Sequence, residues 1–362
     1  MQITAAVLRA PGAPLNLEAI DLDEPRDDEV VVRIVSSGIC HTDLSAMAGG
    51  VRSRYPIVLG HEGAGIVERV GAGVRSLVPG DHVVLSFDYC GVCDRCRAGA
   101  PCYCREFTLR NFSGSRPDGS SALSRGGERV FGHYFGQSSF ATYALARETN
   151  AIKVRRDVPL EALGPLGCGV QTGAGAVLNT FRARPGSALA VFGTGSVGLS
   201  AVIAGVLAGC TVIVGVDILP ERLEVARALG ATHVFDGRDP DLVEKIIATT
   251  GRGVDFAFDT TGVALEAAAR SLDELGVLGL VGGVRGGRLD LPFETLRRGR
   301  SIRTIIEGDS VPSQFIPTLV DLWAQGRFPF DRLVTYYSFD QINEAARDSE
   351  HGRAIKPVLR FA

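Results

Sequence analysis

Apolar and polar positions change their spacing twice along the chain. Up to about residue 160, short apolar runs are separated by turn signals such as Val78-Pro79-Gly80-Asp81, which predicts a β-rich region. From about residue 170 to 305, apolar runs alternate with segments of helical period. The C-terminal part returns to mixed patterning. The clearest strands predicted outside the middle region are Val30–Val35, Ile66–Val70, Asp81–Phe87 and the terminal Ile355–Leu359.

The middle region predicts a parallel sheet with helices on both faces. Its apolar runs are nearly continuous, as in strands that are buried on both sides. Strands that alternate with helices are typical of a doubly wound sheet, so the predicted fold class is α/β, with this sheet beside a β-rich domain. The strands are predicted at Leu189–Phe192, Val212–Val216, Val254–Asp259 and Leu278–Val281, and the helices at Val197–Ala208, Glu221–Leu229 and Leu242–Thr249.

Composition and charge exclude several classes of function. With 362 residues, the chain exceeds one ordinary core, which favours two domains. A formal net charge of −3 offers no footprint for nucleic acid or an anionic membrane. The uncharged stretch Gly186–Val216 is long enough to span a bilayer, but its glycines divide it into a strand, a turn, a helix and a second strand.

Cysteine usage indicates metal sites. Eight cysteines are too few for a disulfide scaffold, and several of them are clustered. The N-terminal residues also lack the basic start and long apolar segment of a secretory signal. We therefore expect a cytoplasmic protein with reduced thiols.

Gly193-Thr194-Gly195-Ser196-Val197-Gly198 matches the dinucleotide-binding pattern G-x-G-x-x-G. It follows a predicted apolar strand and opens a predicted helix, as pyrophosphate binding requires: Gly193 permits the tight turn, Gly195 lets the backbone approach the pyrophosphate, and Gly198 lets the helix pack on the strand. The next strand ends at Asp217, whose carboxylate suits the two hydroxyls of an adenosine ribose and would repel a 2′-phosphate. The pattern predicts NAD as the cofactor.

Two groups of soft ligands predict two zinc ions. Cys90, Cys93 and Cys96 form a loop with either Cys102 or Cys104, the spacing favouring Cys104, and four thiolates close a structural zinc site. The second group is dispersed: Cys40, His61 and Cys168 each contribute one ligand. Two thiolates and one imidazole leave a fourth position open, which is the arrangement of a catalytic zinc.

These motifs together resemble the zinc-dependent medium-chain alcohol dehydrogenases over essentially the whole chain. The stretches Cys40-His41-Thr42-Asp43-Leu44, Arg110–Gly114, Gln137–Ala144 and Leu163–Gly173 resemble the aryl-alcohol (benzyl alcohol) dehydrogenase branch. The resemblance implies a GroES-like catalytic domain, residues 1–169 and 308–362, which carries both zinc ions. Residues 170–307 are implied to form a Rossmann domain.

The resemblance also implies roles for single residues. Cys40, His61 and Cys168 would hold the catalytic zinc, and Asp43 would hydrogen-bond the far nitrogen of His61. Glu62 would lie beside the zinc without being a permanent ligand. Thr42 matches the position whose hydroxyl takes the proton from the alcohol. Where some relatives carry a histidine that passes this proton to solvent, this chain has Ser45, so Ser45, a ribose hydroxyl or water would complete the relay.

On the cofactor side, the matching positions place Val197 and Thr172 against the nicotinamide and Arg222 near the adenosine ribose. His41 would lie near the pyrophosphate and Lys356 would contact a phosphate. The expected substrate is a small apolar alcohol in an aromatic pocket, whose candidate lining residues are Phe87, Phe112, Phe131, Phe135, Phe140 and Ile306.

The expected function is reversible oxidation of primary aromatic or allylic alcohols, benzylic or terpenoid such as geraniol, to aldehydes by a homo-oligomer. One alternative is an S-(hydroxymethyl)glutathione dehydrogenase of the same superfamily, for which the sequence offers no identifiable cationic anchor. Another is a non-catalytic protein that binds zinc and NAD. The joint presence of the open-site ligands, Thr42 and Asp43 argues against this second alternative.

Overall fold

The computed structural model describes residues 1–50 and 54–361, and the chain forms two compact units. The first unit comprises Met1–Cys168, Val311–Gly326 and Asp331–Ala362, and the second comprises Gly169–Ser310 and Arg327–Phe330. These divisions of the chain lie one residue before and three residues after the bounds that the resemblance implies. A short return of the chain, 327–330, belongs to the second unit.

The strands are, in chain order, β1 (Gln2–Leu8), β2 (Leu15–Leu22), β3 (Glu29–Gly38), β4 (Ile57–Val58), β5 (Gly63–Val70), β6 (His82–Leu85), β7 (Leu123–Arg125), β8 (Glu128–Val130), β9 (Tyr143–Arg147), β10 (Ala151–Lys153), β11 (Ala188–Phe192), β12 (Val212–Asp217), β13 (His233–Asp236), β14 (Val254–Asp259), β15 (Leu272–Leu280), β16 (Ser301–Thr304), β17 (Val334–Ser338) and β18 (Lys356–Arg360). The α-helices are α1 (His41–Met47), α2 (Asp94–Arg97), α3 (Phe107–Phe112), α4 (Gly169–Gly175), α5 (Ser196–Ala208), α6 (Pro220–Ala228), α7 (Leu242–Thr250), α8 (Leu265–Arg270), α9 (Pro312–Ala324) and α10 (Ile342–Glu350). A π-helical turn, Ala176–Phe181, continues α4.

The first unit contains two sheets. One has the strand order β4-β1-β2-β7-β8, and the other has the order β10-β6-β5-β3-β18-β17, with β9 also paired to β3. Apolar residues of β3, β5, β6 and β9 form a buried core on one face of the second sheet. Because β18 pairs antiparallel with the end of β3 (Val358 opposite Gly38), the C-terminal strand reaches the chain segment that follows β3.

The second unit is the predicted doubly wound sheet. Its strand order is β13-β12-β11-β14-β15-β16, and every neighbouring pair is parallel. The chain adds β12 and β13 on one side of β11 and then crosses over to add β14, β15 and β16 on the other side, so the strand order reverses between β11 and β14. Ligands bind such sheets at the carboxyl ends of the strands beside this reversal. The uncharged segment from residue 186 to 216 is β11, α5 and β12, and no helix in the described part of the chain is long and apolar enough to cross a membrane.

The polar stretch from residue 113 to 129 has the composition of a surface loop, but its end forms the hairpin β7–β8. Arg116, in its middle, is only 4% exposed. Its guanidinium donates to both carboxylate oxygens of buried Glu29, at 2.7 and 2.8 Å, so burial of this arginine is balanced by a paired charge.

Candidate active site and cofactor site

Three chain segments of the first unit bring four donor side chains together. Cys40 follows β3, His61 and Glu62 lie between β4 and β5, and Cys168 ends the 3₁₀ turn Gly164–Gly167. One donor atom from each residue lies within 4.8 Å of the others, and all four residues are buried. The structure therefore assembles the dispersed ligands that the sequence suggested.

The carboxylate of Asp43 both caps helix α1 and contacts the imidazole of His61. Asp43, which is fully buried, accepts the backbone N–H of Cys40 at 3.0 Å and completes a capping box at the start of α1. Its other oxygen lies 2.9 Å from Nδ1 of His61 and also accepts the N–H of Gly60. Asp43 thus orients the ring so that Nε2 is directed away from the carboxylate.

The donor set fits a zinc ion. Nε2 of His61 is buried and has no hydrogen-bond partner in the described part of the chain, whereas a buried ring nitrogen ordinarily has one. A metal placed among the thiols would satisfy it. The neighbouring Cys168 thiol and His61 lower the pKa of Cys40 well below its ordinary value, against the opposing effect of burial, which favours the thiolate that a metal requires.

A second group of thiols lies in the loop around α2. Cys90, Cys93, Cys96 and Cys104 place their sulfur atoms within 4.8 Å of one another. The backbone N–H groups of Cys90 and Glu106 donate to Sγ of Cys104, at 3.3 and 3.4 Å. Cys102 is buried outside this group. Of the two residues that the sequence left open, the structure places Cys104 in the cluster.

The glycine motif of the second unit has the shape that its pattern requires. Gly193 has a φ of +88°, and a Cβ on Gly198 would lie 1.9 Å from the carbonyl oxygen of Gly193. Only glycine fits either position. Gly195 is the N-cap of α5 and offers no side-chain cap, and the first N–H groups of a helix, which have no partner within it, suit a phosphate. This turn sits at the carboxyl end of β11, beside the point where the sheet reverses.

Asp217 and Arg222 lie beside that turn. One Asp217 oxygen accepts both the N–H and the hydroxyl of Thr194, at 2.7 and 2.9 Å, and the other accepts the N–H groups of Ile218 and Leu219. Nη1 of Arg222 is 3.8 Å from where a Cβ of Gly195 would be, and Nε of Arg222 is buried with no partner in the described chain. The acidic and the basic side chain therefore flank the motif.

The comparisons with known proteins agree with this geometry. Residues 26–156 match the family described as "Alcohol dehydrogenase GroES-like domain", and residues 196–325 match "Zinc-binding dehydrogenase". The chain is 47% identical over 367 residues to a geraniol dehydrogenase of Castellaniella defragrans, covering 99% of this chain and 97% of that protein. The chain belongs to the zinc-dependent medium-chain alcohol dehydrogenases.

Two further relatives span the whole chain. The crystal structure of a benzyl alcohol dehydrogenase from Acinetobacter calcoaceticus superposes with a TM-score of 0.97 at 46% identity, covering 100% of both chains. An S-(hydroxymethyl)glutathione dehydrogenase of Escherichia coli is 35% identical over 373 residues, covering 100% of both chains. The predicted family and fold class are thereby confirmed, and the dehydrogenase is an enzyme of alcohol oxidation.

Lys356 makes contacts that the sequence did not predict. Its ammonium group is buried and donates to both carboxylate oxygens of Glu62, each at 2.9 Å, and to the carbonyl of Ile39 at 3.1 Å. Pairing with β3 places the start of β18 beside this segment. Gly38 leaves room for the carboxylate, because a Cβ there would lie 2.0 Å from Oε2 of Glu62. In the dehydrogenase, Lys356 compensates a buried charge beside the thiols.

The other predicted residues of α1 lie on its first turns. The Thr42 hydroxyl is 3.8 Å from Sγ of Cys40, which places it at the edge of the metal cluster. Ser45 is one turn further along and half-buried, and His41 is exposed. In the second unit, Thr172 is buried on α4, and Val197 and Ile306 are half-buried. A Cβ on Gly173 would lie 2.0 Å from the carbonyl of Val197, so α4 and α5 pack in close contact there.

Aromatic rings surround His61. Phe135 stacks on the imidazole with centroids 4.4 Å apart, Tyr134 meets it edge to face at 5.7 Å, and Phe112 packs on both of these rings. Of the predicted pocket residues, Phe135 thus contacts His61 directly and Phe112 packs behind it, whereas Phe131 contacts Arg54 and Arg129. Phe87 and Phe140 are fully buried: Phe87 contacts Phe107, and Phe140 contacts Gly60.

Nothing in the sequence predicted the contacts of Tyr134 or the hydrogen bonds of Gln137. The amide of Gln137 donates to the carbonyls of His61 and Ser86 and accepts the N–H of Gly63, which ties the His61 segment to β6. The hydroxyl of Tyr134 donates to the carbonyl of Thr42 at 3.2 Å. A tyrosine and a glutamine in a loop carry no pattern in the sequence that predicts either bond.

Proposed function

We propose that the enzyme oxidises primary aromatic or allylic alcohols to aldehydes, reversibly, with NAD. The observation that carries this proposal is the set of rings packed on His61, since apolar aromatic walls suit a flat, unsaturated alcohol. The similarity to proteins named geraniol dehydrogenase and benzyl alcohol dehydrogenase supports the same class.

In this proposal, Cys40, His61 and Cys168 would hold a zinc ion, which would supply the Lewis-acid chemistry that lowers the pKa of the alcohol hydroxyl. Asp43 fixes the tautomer of His61 through Nδ1. The hydroxyl of Thr42, at the edge of the cluster, takes the proton of the alcohol. Ser45 offers a second hydroxyl one turn away, and Glu62, bound to Lys356, provides a buried negative charge beside the thiols. The second thiol cluster, closed by Cys104, would hold a structural zinc.

In the second unit, Gly193, Gly195, Gly198 and the N-terminus of α5 would bind NAD, which would serve as the hydride acceptor. Asp217 is held by four hydrogen bonds, so its charge cannot easily move away from a 2′-phosphate. We infer a preference for NAD over NADP on this ground, with Arg222 near the adenosine ribose. Thr172 and Val197 are proposed nicotinamide contacts, and His41 a pyrophosphate contact.

We also propose that the enzyme is a homo-oligomer in the cytoplasm. Two clusters that contain free thiols support a reducing compartment. The outer edge of β16 pairs with no strand in the described chain. Near this edge lie two of the most exposed large apolar side chains: Leu275 is on β15, and Phe293 is in the turn before β16. Such an edge is a surface on which a second copy can pair.

The test is NADH formation by the purified protein with benzyl alcohol, geraniol, ethanol and S-(hydroxymethyl)glutathione, each with NAD and with NADP. A kcat/KM for benzyl alcohol or geraniol at least about a hundredfold above that for ethanol supports the proposal. Preference for S-(hydroxymethyl)glutathione would contradict the proposed substrate class and favour that compound instead. If the protein binds zinc and NAD but turns over none of the alcohols, a non-catalytic function is favoured.

A further inference from the structure

Tyr134 touches two parts of the candidate active site at once. Its side chain is only 1% exposed, and its ring meets the imidazole of His61 edge to face at 79°. At the far end of the ring, the hydroxyl donates to the backbone carbonyl of Thr42 at 3.2 Å. One rigid side chain therefore spans the distance between a proposed zinc ligand and the proposed proton acceptor.

The loop that carries Tyr134 is held in a costly conformation. His133, Phe135, Gly136 and Ser138 all have φ values between +51° and +65°. Such values are strained for residues other than glycine and persist only where the surroundings impose them.

The surroundings of this loop are hydrogen bonds and ring packing. Ser138 Oγ donates to the carbonyl of Val58 at 2.6 Å and accepts the N–H of Tyr134 at 3.0 Å, while Phe135 stacks on His61. Backbone strain concentrates where a side chain must be placed accurately. These hydrogen bonds and the ring contact hold the loop in place and thereby fix the position of the Tyr134 ring.

Helix α1 gains a fixed point from this contact. Thr42 lies between Cys40, which begins the helix, and Asp43, which binds His61. Holding the carbonyl of Thr42 limits how far the first turn can shift, and with it the hydroxyl that lies 3.8 Å from Sγ of Cys40. Proton transfer needs hydrogen-bond distance between the two oxygens, so a shift of a fraction of an ångström slows it.

We propose that Tyr134 is a positioning residue for proton transfer: its hydroxyl holds the first turn of α1 so that the Thr42 hydroxyl meets the alcohol. The inference rests on the proposed function, in which Thr42 takes that proton. Tyr134 does not itself exchange a proton with the substrate. The effect of its hydroxyl passes through Thr42, whereas its ring packs on His61.

The experiment is a double-mutant cycle on the zinc-loaded enzyme. Tyr134→Phe keeps the ring and removes the hydroxyl, and Thr42→Ala removes the group on which it is proposed to act. The rate of the first turnover is measured with enzyme in excess over benzyl alcohol, so that product release does not mask the chemical step. We expect Tyr134→Phe to lower this rate about 5-fold with Thr42 present, and by less than about 1.5-fold in the Thr42→Ala background. The solvent deuterium isotope effect on the first turnover should rise in Tyr134→Phe.

Zinc content and melting temperature test whether the variant merely loosens the fold, and both should match wild type. Tyr337→Phe, which removes a hydroxyl bonded to Asp348 at 2.7 Å, is the matched control and should leave the rate unchanged. Equal losses in the two Thr42 backgrounds, or no loss at all, would overturn the positioning role while the wild type still oxidises alcohols. A wild type inactive on every alcohol would overturn both the proposed function and this inference.

Discussion

Asp43 shows how much one buried carboxylate contributes to the site. It accepts hydrogen bonds from the N–H groups of Cys40 and Gly60 and orients the imidazole of His61. Although burial opposes the charged imidazole, Asp43 and the Cys40 thiolate raise the pKa of His61 above its ordinary value. The helix start and the proposed zinc ligand thus depend on the same side chain.

Asp43→Asn should weaken zinc binding at the catalytic cluster by about 10- to 100-fold, because the amide replaces one acceptor by a donor and the orientation of His61 is lost. Zinc content after dialysis against a graded chelator measures this. Asp157→Asn, at an exposed carboxylate paired with Arg155, is the control and should retain zinc as the wild type does. Unchanged retention in Asp43→Asn would show that the carboxylate serves only the cap of α1.

His133 makes a prediction about acid stability. Burial, and secondarily the charge of Arg116, lower the pKa of His133 from 6.5 to about 4. Since the unfolded chain takes up this proton at a higher pH than the folded one, stability falls as the pH falls from 6.5 to about 4, by at most about 1.4 kcal/mol per pH unit. Asparagine tolerates the φ of +57° at this position.

Urea unfolding at several pH values should therefore show that His133→Asn loses less free energy of unfolding than wild type between pH 6.5 and 4. Above pH 7 the difference between the two proteins should be constant. Parallel curves over the whole acidic range would mean that His133 takes up its proton in the folded state as easily as in the unfolded one.

At the scale of residues, the sequence predicted the donors better than their partners. Cys40, His61 and Cys168 belong to residue types with one dominant chemistry, so a family pattern was enough to select them. The ion pair of Lys356 was not predicted, because a lone lysine in a strand does not reveal a carboxylate 294 residues away. Tyr134 was missed because a buried tyrosine is most often a core residue. The positive φ values on either side of it could not be predicted, since histidine and phenylalanine, the residues at His133 and Phe135, rarely adopt them.

At the scale of elements, the loop around α2 tests which cysteine closes the second cluster. Sγ of Cys104 lies with Cys90, Cys93 and Cys96, and Cys102 lies outside the group. Four thiolates around one zinc would stabilise such a loop, since residues 90 to 100 are exposed or half-buried and bury little surface of their own.

Cys104→Ser should reduce the zinc content from two ions to one per chain and lower the melting temperature, whereas Cys102→Ser should retain both ions. Metal analysis of the two purified variants, which differ only in the position of the same substitution, decides between them. Loss of zinc from Cys102→Ser with retention in Cys104→Ser would reverse the assignment. The catalytic cluster is the internal reference, since its zinc should remain in both variants.

The elements themselves followed the hydrophobic pattern wherever burial dictates it. The strand predicted from residue 254 to 259 has the bounds of β14, because its apolar residues, Val254 and residues 256–258, form a nearly continuous run that is mostly buried. The hairpin β7–β8 was not predicted, because it is short, polar and paired at one edge to β2. Its pattern therefore resembles that of a loop.

At the scale of the molecule, the sheet of the second unit ends in an open edge. β16 is bonded to β15 on one side, and the described chain supplies no strand for its other side. Leu275 on β15 is 77% exposed, and Phe293, in the turn that leads to β16, is 78% exposed. Soluble proteins usually protect such an edge, and a second copy of this chain would cover both side chains.

Phe293→Glu should therefore convert the proposed oligomer into smaller species, because burial of the new carboxylate in an apolar interface is unfavourable. Sedimentation velocity over a range of protein concentrations measures the change. Val78→Glu is the matched control: Val78 is 55% exposed on the first unit, and the same charge there should leave the assembly intact. If wild type and Phe293→Glu sediment alike at every concentration, this edge is not an interface between copies, and the exposed phenylalanine needs another explanation.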